Sequence, residues 1–414
     1  MNPESSEARL IDRRIALARE WDELLEQVRA LKGFEDFLLP PPIETLLPAA
    51  AEGPVVMVNV SAWRCDALIV TTEGVRAVPL PGLSLASAQE RLGEYLRVVT
   101  GDGLEEREAV LTSTLGWLWD AVAEPVLDAL GYRAEPAGTW PRVWWCPTGP
   151  LTLLPLHAAG HHGPAGGGRT VMDRVVSSYT PTLRALLEAR GERRGVRGPG
   201  DARRAGDEAG EGNGDGGGGR MLIVAVPDAP GAPHLENVVT EQEVLTRLFP
   251  GDRHTLLAGD DAVRDRVRAE LPRHRWVHFS GHGGQDLTDP SQGGLLLRDG
   301  KLTVTDIGAA GYQGEFAFLS ACKTATGGTA LPDEAITITA ALHYTGYRQV
   351  IGTLWSVHDR LAVVVADSVY QRLTTTGRFL PGDAARALHR AVRPLRTGFA
   401  ARPSLWVPFT HTGP

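Results

Sequence analysis

Lysine is close to missing from this chain. Only Lys32, Lys301 and Lys323 occur among 414 residues, and arginine supplies the other basic side chains. With 42 basic residues against 50 acidic ones the net charge is −8, and no basic stretch is interleaved with aromatics. That combination excludes a nucleic-acid surface. Cysteine is scarce as well. Cys65, Cys146 and Cys322 are odd in number, far apart and without C-x-x-C spacing, which excludes a disulfide framework or a zinc ribbon and fits a reducing cytoplasm. No apolar run reaches membrane-spanning length, and the N-terminus (Met-Asn-Pro-Glu-Ser-Ser-Glu) is unlike a signal peptide. The glycine run Gly216–Gly219 is not followed by Gly-Lys-Ser/Thr, so it is no phosphate loop. No cofactor and no metal are expected, and neither is membrane association.

What is present organises into four stretches. Residues 1–50 form an N-terminal helical segment, in which Leu10, Leu17, Leu24 and Leu31 repeat at seven with Trp21 and Val28 between them. This predicts an amphipathic helix over 7–31, packed on its own domain or docked on a regulatory protein. Residues 54–189 read as an α/β half: a meander near 55–60, 67–70 and 75–78, helices over 84–98 and 104–130, and a strand at 143–146. Residues 190–220 are nearly all Gly, Arg, Glu, Asp and Ala, too polar to offset their ordering entropy, and are expected to be a disordered linker. Residues 221–414 alternate strand and helix. Strands are expected at 221–226, 254–257, 276–280, 315–321, 350–355 and 405–409, with helices at 236–248, 261–270, 334–345, 359–373 and 382–392. Apolar strands in repeated β-α-β order imply a mainly parallel sheet covered on both faces.

Two of those strands end in reactive side chains. Trp276-Val-His-Phe-Ser-Gly-His282-Gly-Gly284 delivers a histidine among glycines, and Phe316-Ala-Phe-Leu-Ser-Ala-Cys322 delivers a thiol. In open parallel sheets reactive groups collect beyond the carboxyl ends of the strands. If the two strands are neighbours, His282 can take the proton of Cys322, whose thiolate then attacks an acyl carbon. The amides of Gly283 and Cys322 are candidate oxyanion donors. Cys65 and Cys146 lack a glycine-flanked histidine nearby and read as inert core thiols. His274, His278 and His282 recur every four residues, which on a helix would suggest metal ligands, but along a strand His278 and His282 stand about 14 Å apart.

The two motifs, forty residues apart, resemble those of the CHAT-domain family of caspase-like cysteine peptidases, relatives of caspases and separase. Pro332-Asp-Glu334, Val350-Ile-Gly-Thr-Leu-Trp355-Ser-Val-His-Asp359, Pro147-Thr-Gly-Pro-Leu151-Thr-Leu-Leu-Pro155 and Trp406-Val-Pro-Phe409 add to the resemblance, which spans scattered matches over about 54–411. It implies a caspase-like three-layer α/β/α fold, with residues 54–189 as a smaller pseudo-caspase-like half. It implies His282 as general base and Cys322 as nucleophile of an endopeptidase that cuts a protein partner through an acyl-enzyme. By similarity to separase, Asp359 lines the pocket for the residue preceding the cut, which implies Arg or Lys there; the same residue is equally placed to be a helix N-cap. Asp286, after the histidine loop, is the second candidate acid. The alternative is a non-catalytic interaction or scaffold module. Unlike many relatives, the chain has no helical-repeat array. Arg193-Arg194 and Arg203-Arg204 make the linker either a self-processing site or an inert insertion.

Overall fold

Nearly every residue of Met221–Ala225, Trp276–Ser280, Phe316–Ser320 and Gln349–Thr353 is buried. Alternate residues along these strands enter two different apolar clusters. Ile223, Trp276, Phe316, Phe318 and Ile351 belong to one, and Val224, Val277, Ala317, Leu319 and Val350 to the other. Period-two burial on both sides is what a sheet sandwiched between helices requires. The computed structural model describes residues 3–35, 37–101, 103–163, 167–191, 219–286, 289–322, 324, 337–375 and 377–414, with the side chains of 3–11 and of Asp359 left undescribed. Residues 192–218 of the expected linker and Pro332-Asp-Glu334 lie outside those residues, while Arg190 at the linker's expected start ends a helix.

The chain divides into two units, Met1–Pro48 and Ala49–Pro414. In the first, helix α1 (Pro3–Arg29) is followed by one turn, α2 (Ile43–Leu46). The expected seam of α1 is not buried: Leu17, Trp21 and Leu24 are each about half exposed.

The second unit opens with the expected antiparallel meander, β1 (Val55–Asn59), β2 (Asp66–Thr71) and β3 (Gly74–Pro79). Helix α3 (Leu85–Thr100) follows. The single helix expected over 104–130 is two, α4 (Leu104–Leu118) and α5 (Glu124–Ala129), joined by a π-helical turn at Trp119–Ala123. Pro125 explains the break, because it has no N–H to continue the α register. Strands β4 (Arg142–Pro147) and β5 (Val176–Tyr179) and helix α6 (Leu183–Arg190) end this half. Then come β6 (Met221–Ala225), α7 (Asn237–Leu248), β7 (His254–Ala258), α8 (Arg264–Glu270), β8 (Trp276–Ser280), and the short strands β9 (Gly283–Gly284), β10 (Gly294–Leu297) and β11 (Gly300–Thr303). The rest is α9 (Val304–Gly308), β12 (Phe316–Ser320), α10 (Ile338–Tyr344), β13 (Gln349–Thr353), α11 (Asp359–Leu373), the hairpin β14 (Thr374–Thr375) and β15 (Arg378–Phe379), α12 (Ala384–Gly398) and β16 (Phe409–Thr412). The last strand starts where 405–409 was expected to end. Pro403 and Pro408 lack the N–H a ladder needs, and Trp406 and Val407 are instead buried in the core.

Eleven strands form one sheet in the order β3-β2-β1-β4-β5-β16-β13-β12-β8-β6-β7. Most neighbours are parallel; β1–β2, β2–β3 and β13–β16 are not. Side chains of α7, α11 and α12 pack in one apolar cluster, and those of α8, α9 and α10 in the other. The expected mainly parallel α/β/α sandwich is therefore the fold of this half.

Candidate active site

From β6 the chain passes to β7 on one side and then returns to β8 on the other. The connections leaving β6 and β8 thus diverge, and a crevice opens beyond their carboxyl ends. β12 lies beside β8 in parallel, with Ser280 opposite Ser320. One residue further the Gly281 amide donates to the Ser320 carbonyl, 3.2 Å away. His282 and Cys322 therefore leave the sheet at the same level, each two residues beyond the paired serines.

Two glycines let the histidine loop lie this close. A Cβ on Gly281 would stand 3.1 Å from the Val226 carbonyl oxygen, and one on Gly283 would stand 2.6 Å from the Cys322 carbonyl oxygen. No side chain fits at the second position without moving the backbone of Cys322. Gly283 also has a useful orientation. It is paired with Leu295 of β10 while the Leu296 amide donates to the His282 carbonyl at 2.8 Å. Gly283 and Leu295 then form a pair without mutual hydrogen bonds, so the Gly283 N–H points away from β10.

His282 is half-buried. Its Nε2 is 2.7 Å from the carbonyl oxygen of Pro233, in the connection between β6 and α7. A carbonyl only accepts, so Nε2 carries the proton and Nδ1 of the neutral ring keeps its lone pair. Among the described residues no hydrogen bond engages Nδ1. That leaves the ring oriented on one side and basic on the other, the arrangement a general base requires.

Cys322 is a free, half-buried thiol. The turn that presents it is fastened on both sides to the end of β13. The Thr353 hydroxyl donates to the Ala321 carbonyl at 2.7 Å, and the Thr353 amide donates to the Thr324 hydroxyl at 3.0 Å. Cys322 lines a small pocket with Ser280, Ser320, Thr353, Val357 and Ala362.

The candidate acids sit differently. Asp359 is the first residue of α11, and His358 with its extended backbone occupies the N-cap; the expectation that Asp359 caps the helix is corrected by one position. It falls between Val357 and Ala362, both of which line the pocket beside Cys322. Asp286 is exposed, and its carboxylate accepts the Asp289 amide at 3.0 Å.

The remaining cysteines and histidines go elsewhere. Cys146 is buried, its Sγ is 3.4 Å from the Pro181 carbonyl, and burial pushes its thiol up to about 12. Cys65 is buried near the Ser61 carbonyl. His274 bonds the Thr255 hydroxyl and the Glu270 carbonyl, each at 2.8 Å, and His278 bonds the Tyr370 hydroxyl at 2.9 Å. The histidine ladder is thus three side chains with three separate sets of partners.

A family model for the CHAT domain matches residues 112–414. The chain belongs to the CHAT domain family. Among solved structures, two of the Saccharomyces cerevisiae separase–securin complex are similar to it. One has a TM-score of 0.56 at 10% identity over 89% of this chain, and the other 0.53 at 10% over 90%. The chain spans only 30% and 31% of those chains. A complex of the pro- and mature domains of Porphyromonas gingivalis RgpB gives a TM-score of 0.42 at 11% identity, covering 71% of this chain and 69% of that one. No curated protein matches. At such identities the likeness is one of fold, and the fold of this CHAT domain is caspase-like.

Several residues that shape the site carried no sequence signal. Pro233 contributes a backbone carbonyl, which any residue could supply; only its place after β6, at the topological switch, marks it. Thr353 lies inside the Gly-Thr-Leu-Trp stretch that supports the resemblance, but its partners, the Thr324 hydroxyl and the Ala321 carbonyl, lie 29 and 32 residues away.

Proposed function

We propose that this CHAT domain is a cysteine endopeptidase that cleaves a protein partner after Arg or Lys. The observation that carries the reading is the shared level of His282 and Cys322, with Gly283 pressed against the Cys322 carbonyl. In this reading His282 Nδ1 takes the thiol proton, and the thiolate adds to the scissile carbonyl. The Gly283 and Cys322 amides hold the developing oxyanion. The protonated His282, held at Nε2 by Pro233, gives its proton to the leaving amine, and water then hydrolyses the thioester with His282 as base. Asp359, at the start of α11 between two pocket residues, supplies the negative charge that selects a basic side chain; Asp286 is the second candidate.

Hydrolysis of fluorogenic peptides ending in Arg or Lys tests this directly. Activity is expected on these and not on matched peptides ending in Leu or Asp, with Asp359→Asn erasing the preference. If Asp359→Asn leaves it intact and Asp286→Asn removes it, the pocket belongs to Asp286. A folded protein that hydrolyses no peptide, and whose Cys322 reacts no faster than a free thiol, is a scaffold module instead.

A further inference from the structure

Beneath the candidate site lies a buried polar network that the chemistry above does not use. Glu241 of α7 is 3% exposed, His278 0%, Ser280 2% and Tyr370 of α11 0%. The Ser280 hydroxyl donates to Glu241 Oε2. The other oxygen, Oε1, faces His278 Nε2 at 3.4 Å, and among the described residues neither atom has a hydrogen-bond partner. On its far side His278 Nδ1 meets the Tyr370 hydroxyl at 2.9 Å, and the ring stacks on Phe318 of β12 at 5.2 Å. Burial and the Glu241 charge hold Tyr370 well above its ordinary range, so it stays a phenol and can donate to Nδ1. His278 then carries its proton on Nε2, beside the carboxylate but outside hydrogen-bond geometry.

Such a cluster is a poor way to gain stability, because well-packed apolar residues commonly serve as well or better. Its value lies in fixing one arrangement, and its members come from the elements that build the site. Ser280 stands two residues before His282. Glu241 is on α7, directly after the connection whose Pro233 carbonyl holds His282. Tyr370 is on α11, which opens with Asp359. Polar contacts join these elements beside the apolar cluster they share, and the Val226 amide bonded to the Ser280 carbonyl at 2.9 Å closes the same corner.

We propose that Glu241 is a positioning residue: through Ser280 and His278 it locks α7 to β8 and α11, and so sets where the Pro233 carbonyl holds His282 against Cys322. The inference rests on reading His282 and Cys322 as a working pair. It does not require that the substrate be a protein.

Two measurements on the full chain separate this claim from the peptidase reading. The first is the rate of Cys322 alkylation by iodoacetamide against pH, followed by mass spectrometry, which needs no substrate. Glu241→Gln keeps the size and loses the charge. It is expected to move the midpoint of the profile upward by about one unit, as the imidazole loses its hold on the thiolate. Glu241→Asp should recover part of the shift. The second is hydrolysis of an Arg-ended peptide, where Glu241→Gln should lower kcat roughly 10- to 100-fold at nearly constant KM. A folded Glu241→Gln protein whose alkylation profile overlays that of wild type overturns the proposal, however far its melting temperature has fallen. If the profile shifts while neither protein hydrolyses any peptide, the peptidase reading fails and the positioning role stands. Should Glu241→Gln not fold, Ser280→Ala removes the same link at the cost of one hydroxyl and carries the same comparison.

Discussion

Each half of the sheet brings a cysteine to the end of a parallel strand and a histidine to a following connection, yet only one half leaves them available. In the N-terminal half Cys146, on β4, is buried against the Pro181 carbonyl and its thiol is pushed up to about 12. His157 uses both ring nitrogens, Nδ1 with the Tyr179 hydroxyl at 2.9 Å and Nε2 with the Val407 carbonyl at 2.8 Å, and burial lowers it to about 4. In the C-terminal half one nitrogen of His282 is held and, among the described residues, the other is not, and Cys322 is half-exposed. The two halves share strands and residue types. What differs is the connection: glycines that let backbone approach backbone in one, and apolar filling in the other.

The largest expected effect tests that contrast head-on. Cys322→Ala and His282→Ala should each lower peptide hydrolysis by about 10⁴-fold or more, while Cys146→Ala leaves kcat/KM at the wild-type value. Loss of activity in a folded Cys146→Ala protein would break the comparison. Next is Gly283→Val, whose Cβ cannot clear the Cys322 carbonyl. It should cost roughly 10²- to 10³-fold in kcat, the usual penalty for a lost oxyanion donor, with KM little changed. Thr353→Val keeps the shape but strips the Ala321 carbonyl of its donor, which should cost about 1–3 kcal/mol in urea denaturation.

A subtler outcome concerns pH. Burial lowers His157, His162 and His389 from 6.5 to about 4 each, and holds His411 well below its ordinary value. Below pH 6.5 the unfolded chain binds protons that these folded groups refuse, so stability is full above 6.5 and falls as pH drops toward 4. Each group contributes a slope of about 1.4 kcal/mol per pH unit. Calorimetry should give a lower melting temperature at pH 5 than at pH 7; an unchanged value would mean that these rings are hydrated in the native protein. The smallest effect is one of selectivity: brief native iodoacetamide treatment should label Cys322 and spare Cys146.

Much of the C-terminal half was legible because its strands are short apolar runs bounded by glycine and proline, and because side-chain chemistry announces itself. The placing of His282, Gly283 and Cys322 just past buried strands could be read from residue type and order, whereas the adjacency of the two strands entered only as a condition and comes from the sheet order. Three kinds of feature could not be read that way. Pro233 acts through its carbonyl, and carbonyls have no letter in a sequence. Glu241 looked like any polar residue of an amphipathic helix, and only packing against Ser280 and His278 reveals it as buried. The breaks at Trp119–Ala123 and before β16 follow from prolines whose missing N–H decides a local register, a competition that a run of apolar residues conceals. The heptad of α1 says that one face is apolar without saying what covers it.

The position of β16 sets an order in time. It fills the gap between β5 and β13, and its first residue, Phe409, pairs with Thr353, which fastens the cysteine turn. Every other strand of the sheet precedes it in the chain. A ribosome therefore releases both flanks of the gap several seconds before the strand that joins them, at ordinary rates of synthesis. Through that interval the turn bearing Cys322 rests on a strand with an open edge. The nascent chain consequently cannot present a finished site to its neighbours until residue 412 has emerged, a delay that needs no inhibitor and is written into the strand order alone.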